Sequence, residues 1–206
     1  MNIPDFPALR PVDVEGAVLY ANSDHLLASL QLPQSPRVAE VGVGLGDFSV
    51  PLLRALKPAE FHAFDPFLLR EDAPSGTLRS DNVFRGKSHE EYYRELVAPL
   101  SGGVTLHRGP IGQNLRRVPG DFFDLIRLNS SQSFEELTIH ANEASRLLRD
   151  SGVLLFKNYT LYDPFQGTEY GIVPVVNSMV VHEGWKVTAL VLQKHLFCDI
   201  LLTRPR

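Results

Sequence analysis

Short apolar runs rich in β-branched residues alternate along the chain with longer segments in which apolar residues recur every three or four positions. The runs Arg37–Val41, Glu60–Phe64, Val104–His107, Phe123–Leu128 and Gly152–Phe156 read as buried strands, and the segments between them as helices. Such alternation predicts βαβ units, hence a parallel sheet with helices on both faces. The last two runs, Lys186–Leu192 and Leu196–Thr203, are separated only by a few residues around Lys194 and His195. That gap is too short for a parallel crossover, so these strands are predicted to be antiparallel neighbours.

Start and stop signals mark the helices. Ser88-His89-Glu90-Glu91 and Ser133-Phe134-Glu135-Glu136 both have the S-x-x-E form of a capping box. Behind the second, Phe134, Leu137, Ala141, Ala144 and Leu148 make one helical face, and Gly152 suits a left-handed C-terminal cap. A further helix is expected over Tyr170–Glu183, with Pro174 in its first turn and Gly184 past its end. Its stripe Ile172–Val180 suits a core face or a homodimer face equally. Residues 1–36 are expected to form a helical cap on the sheet, with His25 in its helix, roofing the cleft. Between Phe67 and Lys87 the chain is polar, carries Pro and Gly and has no period; a lid is expected within residues 68–100.

Composition narrows the class. The chain has 206 residues, 44% hydrophobic and 21% charged, which suits one domain over residues 1–206 with a real core. Twenty Lys and Arg against 24 Asp and Glu leave a charge of −4, which gives no general attraction to nucleic acid or anionic lipid. Arg116-Arg117 is too small a basic cluster to change this. A spanning helix needs ~20 consecutive apolar residues, and the run around Val153–Phe156 falls far short. The start Met1-Asn2-Ile3-Pro4-Asp5 has no secretory pattern, and Cys198 is the single cysteine, so a soluble, cytoplasmic protein is expected.

The chemistry concentrates at Glu40-Val41-Gly42-Val43-Gly44-Leu45-Gly46-Asp47. A strand ends beside an acid, three glycines follow at alternate positions, and a helix begins near Asp47, a suitable N-cap, with Pro51 in its first turn. Glycine lets the chain turn sharply and lets a ligand approach the backbone. The dinucleotide fingerprint is G-x-G-x-x-G; here the third glycine comes one residue early and an acid precedes the first, which favours a ligand carrying positive charge over pyrophosphate. Asp65 ends the second strand nineteen residues past Gly46, where a carboxylate can accept hydrogen bonds from a ribose diol.

Glu40 through Gly46 resembles motif I of the class I S-adenosylmethionine-dependent methyltransferases, and Asp65 stands where that family has its ribose-binding acid. The strands after Trp185 resemble the antiparallel hairpin that closes the family's seven-stranded sheet. Within the class, Phe123–Ile126 through Gly152–Phe156 is similar to the small-molecule O-methyltransferases related to macrocin O-methyltransferase. The resemblance implies an α/β, Rossmann-like three-layer fold, S-adenosylmethionine as cofactor and a small-molecule acceptor. It implies that Glu40, Gly42, Gly44 and Gly46 wall the methionine part of the cofactor and that Asp65 holds the ribose. Phe67, Gly109 in the loop His107–Ile111, and Asn129 complete the expected cofactor contacts.

Many relatives hold a divalent metal with acids after the fourth and fifth strands. This chain has Asn129, Gln132 and Asn158 at those places and adds Lys157, so no catalytic metal is expected. The candidates for a catalytic group are His25, His89, Lys157 and Tyr159; His140 reads as a packing or surface residue. Tyr162 and Asp163 stand at the expected cleft mouth, and Arg127 in an apolar strand needs an acidic partner. The expected activity is O-methylation of a small molecule without a metal. The alternatives are a catalytically inactive cofactor-binding or regulatory protein and, less suited to the glycine spacing, a nicotinamide-dependent oxidoreductase.

Overall fold

The computed structural model describes residues 5–69, 83–100, 102–130, 133–164, 167–193 and 197–204. The predicted strands appear as β2 (Arg37–Val41), β3 (Glu60–Asp65), β4 (Val104–Arg108), β5 (Phe123–Leu128), β6 (Leu148–Phe156), β9 (Lys186–Leu192) and β10 (Cys198–Thr203). An eighth strand, β1 (Val18–Tyr20), adds to them, and the sheet runs β1-β9-β10-β6-β5-β2-β3-β4. Only β10 is antiparallel to its neighbours β6 and β9. The expected count of seven is therefore short by one. Val18, Leu19 and Tyr20 pair in parallel with Ala189, Leu190 and Val191, so the N-terminal segment supplies an edge strand rather than a purely helical cap. Its helix is the short α1 (Ser23–Ser29). A two-residue hairpin, β7 (Tyr162–Asp163) with β8 (Thr168–Glu169), stands apart from the sheet.

Both faces of the sheet are covered, and the alternation of side chains along each strand divides the core in two. Ala39, Ile126, Leu154 and Ile200 pack under α4 (Ile111–Arg116), α5 (Phe134–Leu147) and α6 (Ile172–Glu183). Val38, Leu125, Leu155 and Leu201 pack under α1, α2 (Ser49–Leu56) and α3 (His89–Val97). Every residue of β5 is buried, as a central parallel strand requires. The α6 stripe Val175, Val176, Met179 and Val180 lies inside the subunit's own core. Among the described residues no helix is long and apolar enough to cross a membrane.

Several local signals act as read and others do not. Ser88 and Glu91 form the full capping box of α3, and Gly184 ends α6 in the left-handed region. Ser133 is the N-cap of α5 but makes no side-chain cap bond. Gly152 is not a helix cap: α5 ends at Leu147 and the chain passes directly into β6, where a Cβ on Gly152 would stand 2.7 Å from Leu148 Cγ. The glycine there makes room for its own strand's start. Asp47 is not the N-cap of α2 either, a place taken by Phe48. Of the lid expected over residues 68–100, the part from His89 to Val97 is a core helix that buries Tyr93 and Val97; residues 70–82 lie outside the described residues.

At the sheet's β3–β4 edge, His107 stacks on Phe64 with ring centroids 4.1 Å apart, and its Nε2 lies 3.0 Å from His62 Nδ1. Burial holds both imidazoles neutral, His107 down to about 4. A histidine whose folded pKa is lowered stabilises the fold above its unfolded value of ~6.5 and loses that contribution as pH falls toward about 4. The urea midpoint is therefore expected to drop over that interval, and His107→Phe is expected to flatten the drop. An unchanged slope in the variant would show that the pair is not responsible.

Candidate functional site

The site forms at the C-terminal ends of β2, β3, β5 and β6, with the first residue of α4, Ile111, beside them. Gly42, Gly44 and Gly46 all have positive φ, at 82°, 53° and 80°. Each has its own reason. A Cβ at Gly42 would lie 2.2 Å from the Asn129 carbonyl oxygen, because the glycine turn and the end of β5 touch backbone to backbone. A Cβ at Gly46 would lie 2.5 Å from Leu96 Cδ2, where α3 packs on the turn. A Cβ at Gly44 would meet nothing within 4 Å. Only Gly44 faces open space, so only there is the missing side chain vacancy for a ligand rather than for protein.

That space belongs to a cavity of ≈ 320 Å³ lined by Gly42, Gly44, Asp65, Ile111, Asn129 and Ser130, with Pro66, Leu68 and Leu69 on its flank. Asp65 is placed by two bonds from the chain itself: Oδ2 accepts Val43 N–H at 2.9 Å and Oδ1 accepts Phe67 N–H at 2.7 Å. Each oxygen retains a second lone pair for a ligand. His89 closes the loop from behind. Its Nδ1 accepts Leu69 N–H, so the proton sits on Nε2, which donates to the Gly44 carbonyl at 2.7 Å. His89 is thus a buried clamp between two loops.

A second cavity, ≈ 220 Å³, adjoins the first and shares Asn129 and Ser130 with it. Leu128, Leu137, Tyr170 and Ile172 supply its apolar wall, and Lys157 and Asn158 its polar one. Burial, then Arg127, hold the Lys157 amine below the ordinary lysine value, against the opposing fields of Asp199, Asp47 and Glu40. Asn158 has φ 56° and its N–H is fixed by Asp199 Oδ1 at 2.9 Å. Among the described residues no three His, Cys, Asp or Glu side chains gather to hold a metal; Gln132 lies outside those residues.

Four expected contacts, Glu40, Gly46, Phe67 and Gly109, line neither cavity. Glu40 lines neither cavity: it is 0% exposed, and Oε1 accepts Arg127 Nη1 at 2.8 Å while Oε2 accepts the Ser49 hydroxyl. Arg127 thereby finds its acid, and its guanidinium also covers the Phe48 ring at 4.0 Å. The acid before the glycines braces the loop from beneath. Phe67 is buried against His89 and Tyr93, and Gly109 donates its N–H to the Asp65 carbonyl; neither lines a cavity, although Ile111 just beyond Gly109 does. Among the catalytic candidates only Lys157 lines a cavity. His25 is exposed on α1. Tyr159 donates to Asn177 Oδ1, Asn177 donates to the Pro7 carbonyl, and burial raises the phenol to about 12. Tyr162 and Asp163 form β7, with Asp163 accepting the Tyr170 hydroxyl.

Sequence reasoning missed Ser130 and set His140 aside as a packing or surface residue. They are ten positions apart, a spacing that carries no motif, and come together because α5 runs back beneath the loop that leaves β5. Ser130 Oγ lies 2.8 Å from His140 Nδ1, and His140 is only 7% exposed.

No protein-family profile and no curated protein matches the chain. Solved structures do. The O-methyltransferase TomG from Streptomyces achromogenes, involved in tomaymycin synthesis and bound to SAM, is 20% identical with a TM-score of 0.58, over 89% of this chain and 78% of that one. Cofactor-bound Rv0187 from MTB is 18% identical with a TM-score of 0.61, over 89% and 78%. A ribosomal protein L11 methylase from Lactobacillus delbrueckii subsp. bulgaricus is 17% identical with a TM-score of 0.58, over 89% and 77%. At such identities the likeness speaks for architecture, and the architecture is the α/β, Rossmann-like fold of the methyltransferases.

Proposed function

We propose that this chain is an S-adenosylmethionine-dependent methyltransferase that methylates a hydroxyl of a small molecule without a metal. One observation carries the reading: the open space over Gly44 lies in the same cavity as the Asp65 carboxylate, so a ligand can meet bare backbone and an acid together. In this reading Gly42, Gly44 and Asn129 pass along the amino-acid part of the cofactor, Asp65 takes the ribose diol, and Leu68, Leu69 and Ile111 flank the base. The bound cofactor supplies an electrophilic methyl group on a sulfonium.

The chain's own residues supply position, a main need of such a transfer. Leu128, Leu137 and Ile172 supply the apolar wall of the second cavity, and the Asn129 and Asn158 amides orient a polar acceptor there. Neutral amides beside the Lys157 amine are a poor cage for a hard cation, which supports a metal-free reaction. The ≈ 220 Å³ cavity suits a small acceptor, and a charge of −4 does not suit nucleic acid. An acceptor cavity joined to the cofactor cavity favours transfer over a non-catalytic binding role. A cytoplasmic setting belongs to the same reading and rests on the single cysteine, Cys198.

Calorimetric titration tests it. Saturable binding of both S-adenosylmethionine and S-adenosylhomocysteine is expected, with no binding of NAD. Asp65→Ala is expected to weaken both by ~10–100-fold, since a hydrogen bond to a charged group contributes ~1.5–3 kcal/mol. The same variant loses the acceptor for Val43 and Phe67 N–H, so its melting temperature is followed alongside. Failure of both nucleosides to bind the unaltered protein would end this assignment.

A further inference from the structure

Ser130 belongs to the walls of both cavities, so it stands where a methyl donor and a methyl acceptor would meet. Its Oγ is 2.8 Å from Nδ1 of His140, and that ring is buried between α5 and α4, with Gly112 against its far side. Among the described residues this is the side-chain hydrogen bond that Ser130 makes, whereas Asn129 beside it donates to the Gly42 carbonyl. We propose that Ser130 and His140 form a proton relay for the acceptor, which identifies the acceptor's reacting group as a neutral hydroxyl that must lose its proton. This inference rests on the methyltransferase reading above.

The step balances as follows. The acceptor oxygen forms a bond to the methyl carbon as the carbon–sulfur bond breaks and leaves its electron pair on sulfur. The acceptor's proton passes to Ser130 Oγ while the Ser130 proton passes to His140 Nδ1. One positive charge is lost at sulfur and one is gained at the imidazole, so the net charge of the site is unchanged. Burial keeps the resting His140 ring below the usual histidine range and therefore neutral, which leaves a lone pair to receive the proton. Glu136, one turn earlier on α5, is the charged group whose field reaches the ring, and it favours the imidazolium that the step creates. Ser130 would be the catalytic residue that touches the acceptor, and His140 the group acting through it.

Two measurements test the relay. Nitrogen NMR of histidine-labelled protein without ligands is expected to show His140 neutral with its proton on Nε2, and Ser130→Ala is expected to shift the Nδ1 signal. A proton resident on Nδ1 would overturn the proposal. The second compares methyl transfer to phenol, which arrives protonated at neutral pH, with transfer to 4-nitrophenol, which is largely ionised. Ser130→Ala and His140→Gln are each expected to slow phenol methylation ~100-fold, in line with general base catalysis, and to remove the acidic limb of its pH profile. Transfer to 4-nitrophenol is expected to change less than about threefold, and Ser130→Thr to restore phenol methylation. Equal losses with both acceptors would mean a structural role and would overturn the relay. Binding of S-adenosylhomocysteine without transfer to either phenol would overturn the relay alone, whereas absence of that binding would overturn the relay and the methyltransferase reading together.

Discussion

Arg127→Met is expected to lower the unfolding free energy by about 3–5 kcal/mol, the usual cost of leaving one partner of a buried ion pair alone. Glu40 is fully buried and the Arg127 side chain is 3% exposed, so neither charge has water to fall back on. The pair sits in a chain of donors: the Tyr93 hydroxyl donates to Ser49 Oγ at 2.9 Å, Ser49 donates to Glu40 Oε2, and Arg127 donates to Oε1. Burial drives the Glu40 carboxyl above the ordinary range even with Arg127 opposing it. Without the guanidinium the carboxyl rises further. A carboxyl whose folded pKa is raised contributes stability at low pH that is lost as pH climbs. The deficit of Arg127→Met is thus expected to shrink below the ordinary carboxyl value of ~4.3 and widen above it. In urea titrations the double variant Glu40→Leu/Arg127→Met should recover most of the loss. A single-variant cost under ~1 kcal/mol, flat with pH, would show that the pair does not bind the two strands together.

The second large effect is on ligand rather than fold. Gly44→Val is expected to abolish nucleoside binding, by at least ~100-fold, while the protein still folds. At φ 53° a β-branched residue costs ~1–2 kcal/mol in backbone strain, yet its Cβ would meet no protein atom within 4 Å. The cavity, not the core, absorbs the added carbons. Gly42→Ala is the opposite case: its single methyl would run into the Asn129 carbonyl and break the seam between the glycine turn and β5. Calorimetry together with a thermal melt separates the two. If Gly44→Val bound S-adenosylhomocysteine normally, the ligand would not lie over that residue.

The strands were legible because each is a short run of β-branched and apolar residues, buried on both faces in the central β5, and β2, β5 and β9 have the bounds that their patterns predict. β1 was not, since Val18-Leu19-Tyr20 is three residues long, half exposed and at an edge, where pattern carries little. The glycine turn and Asp65 were legible from spacing alone, as the two must meet at adjacent strand ends. Glu40 was misplaced because a strand-end acid looks the same in sequence whether it faces a ligand or an arginine. The pattern named Arg127 as needing a partner and Glu40 as an acid, but only the register that sets Glu40 opposite Arg127 across β2 and β5 joins them. The contact between Ser130 and His140 lay beyond reach for the same reason, being made by packing rather than by spacing.

Asn129 lines both cavities and also presses its carbonyl against the glycine turn, so a single residue is wall to two compartments and buttress to the loop between them. On the proposed function two ligands would share that partition, with the Asn129 amide already anchored to the Gly42 carbonyl, so occupancy of one compartment is expected to change the affinity of the other.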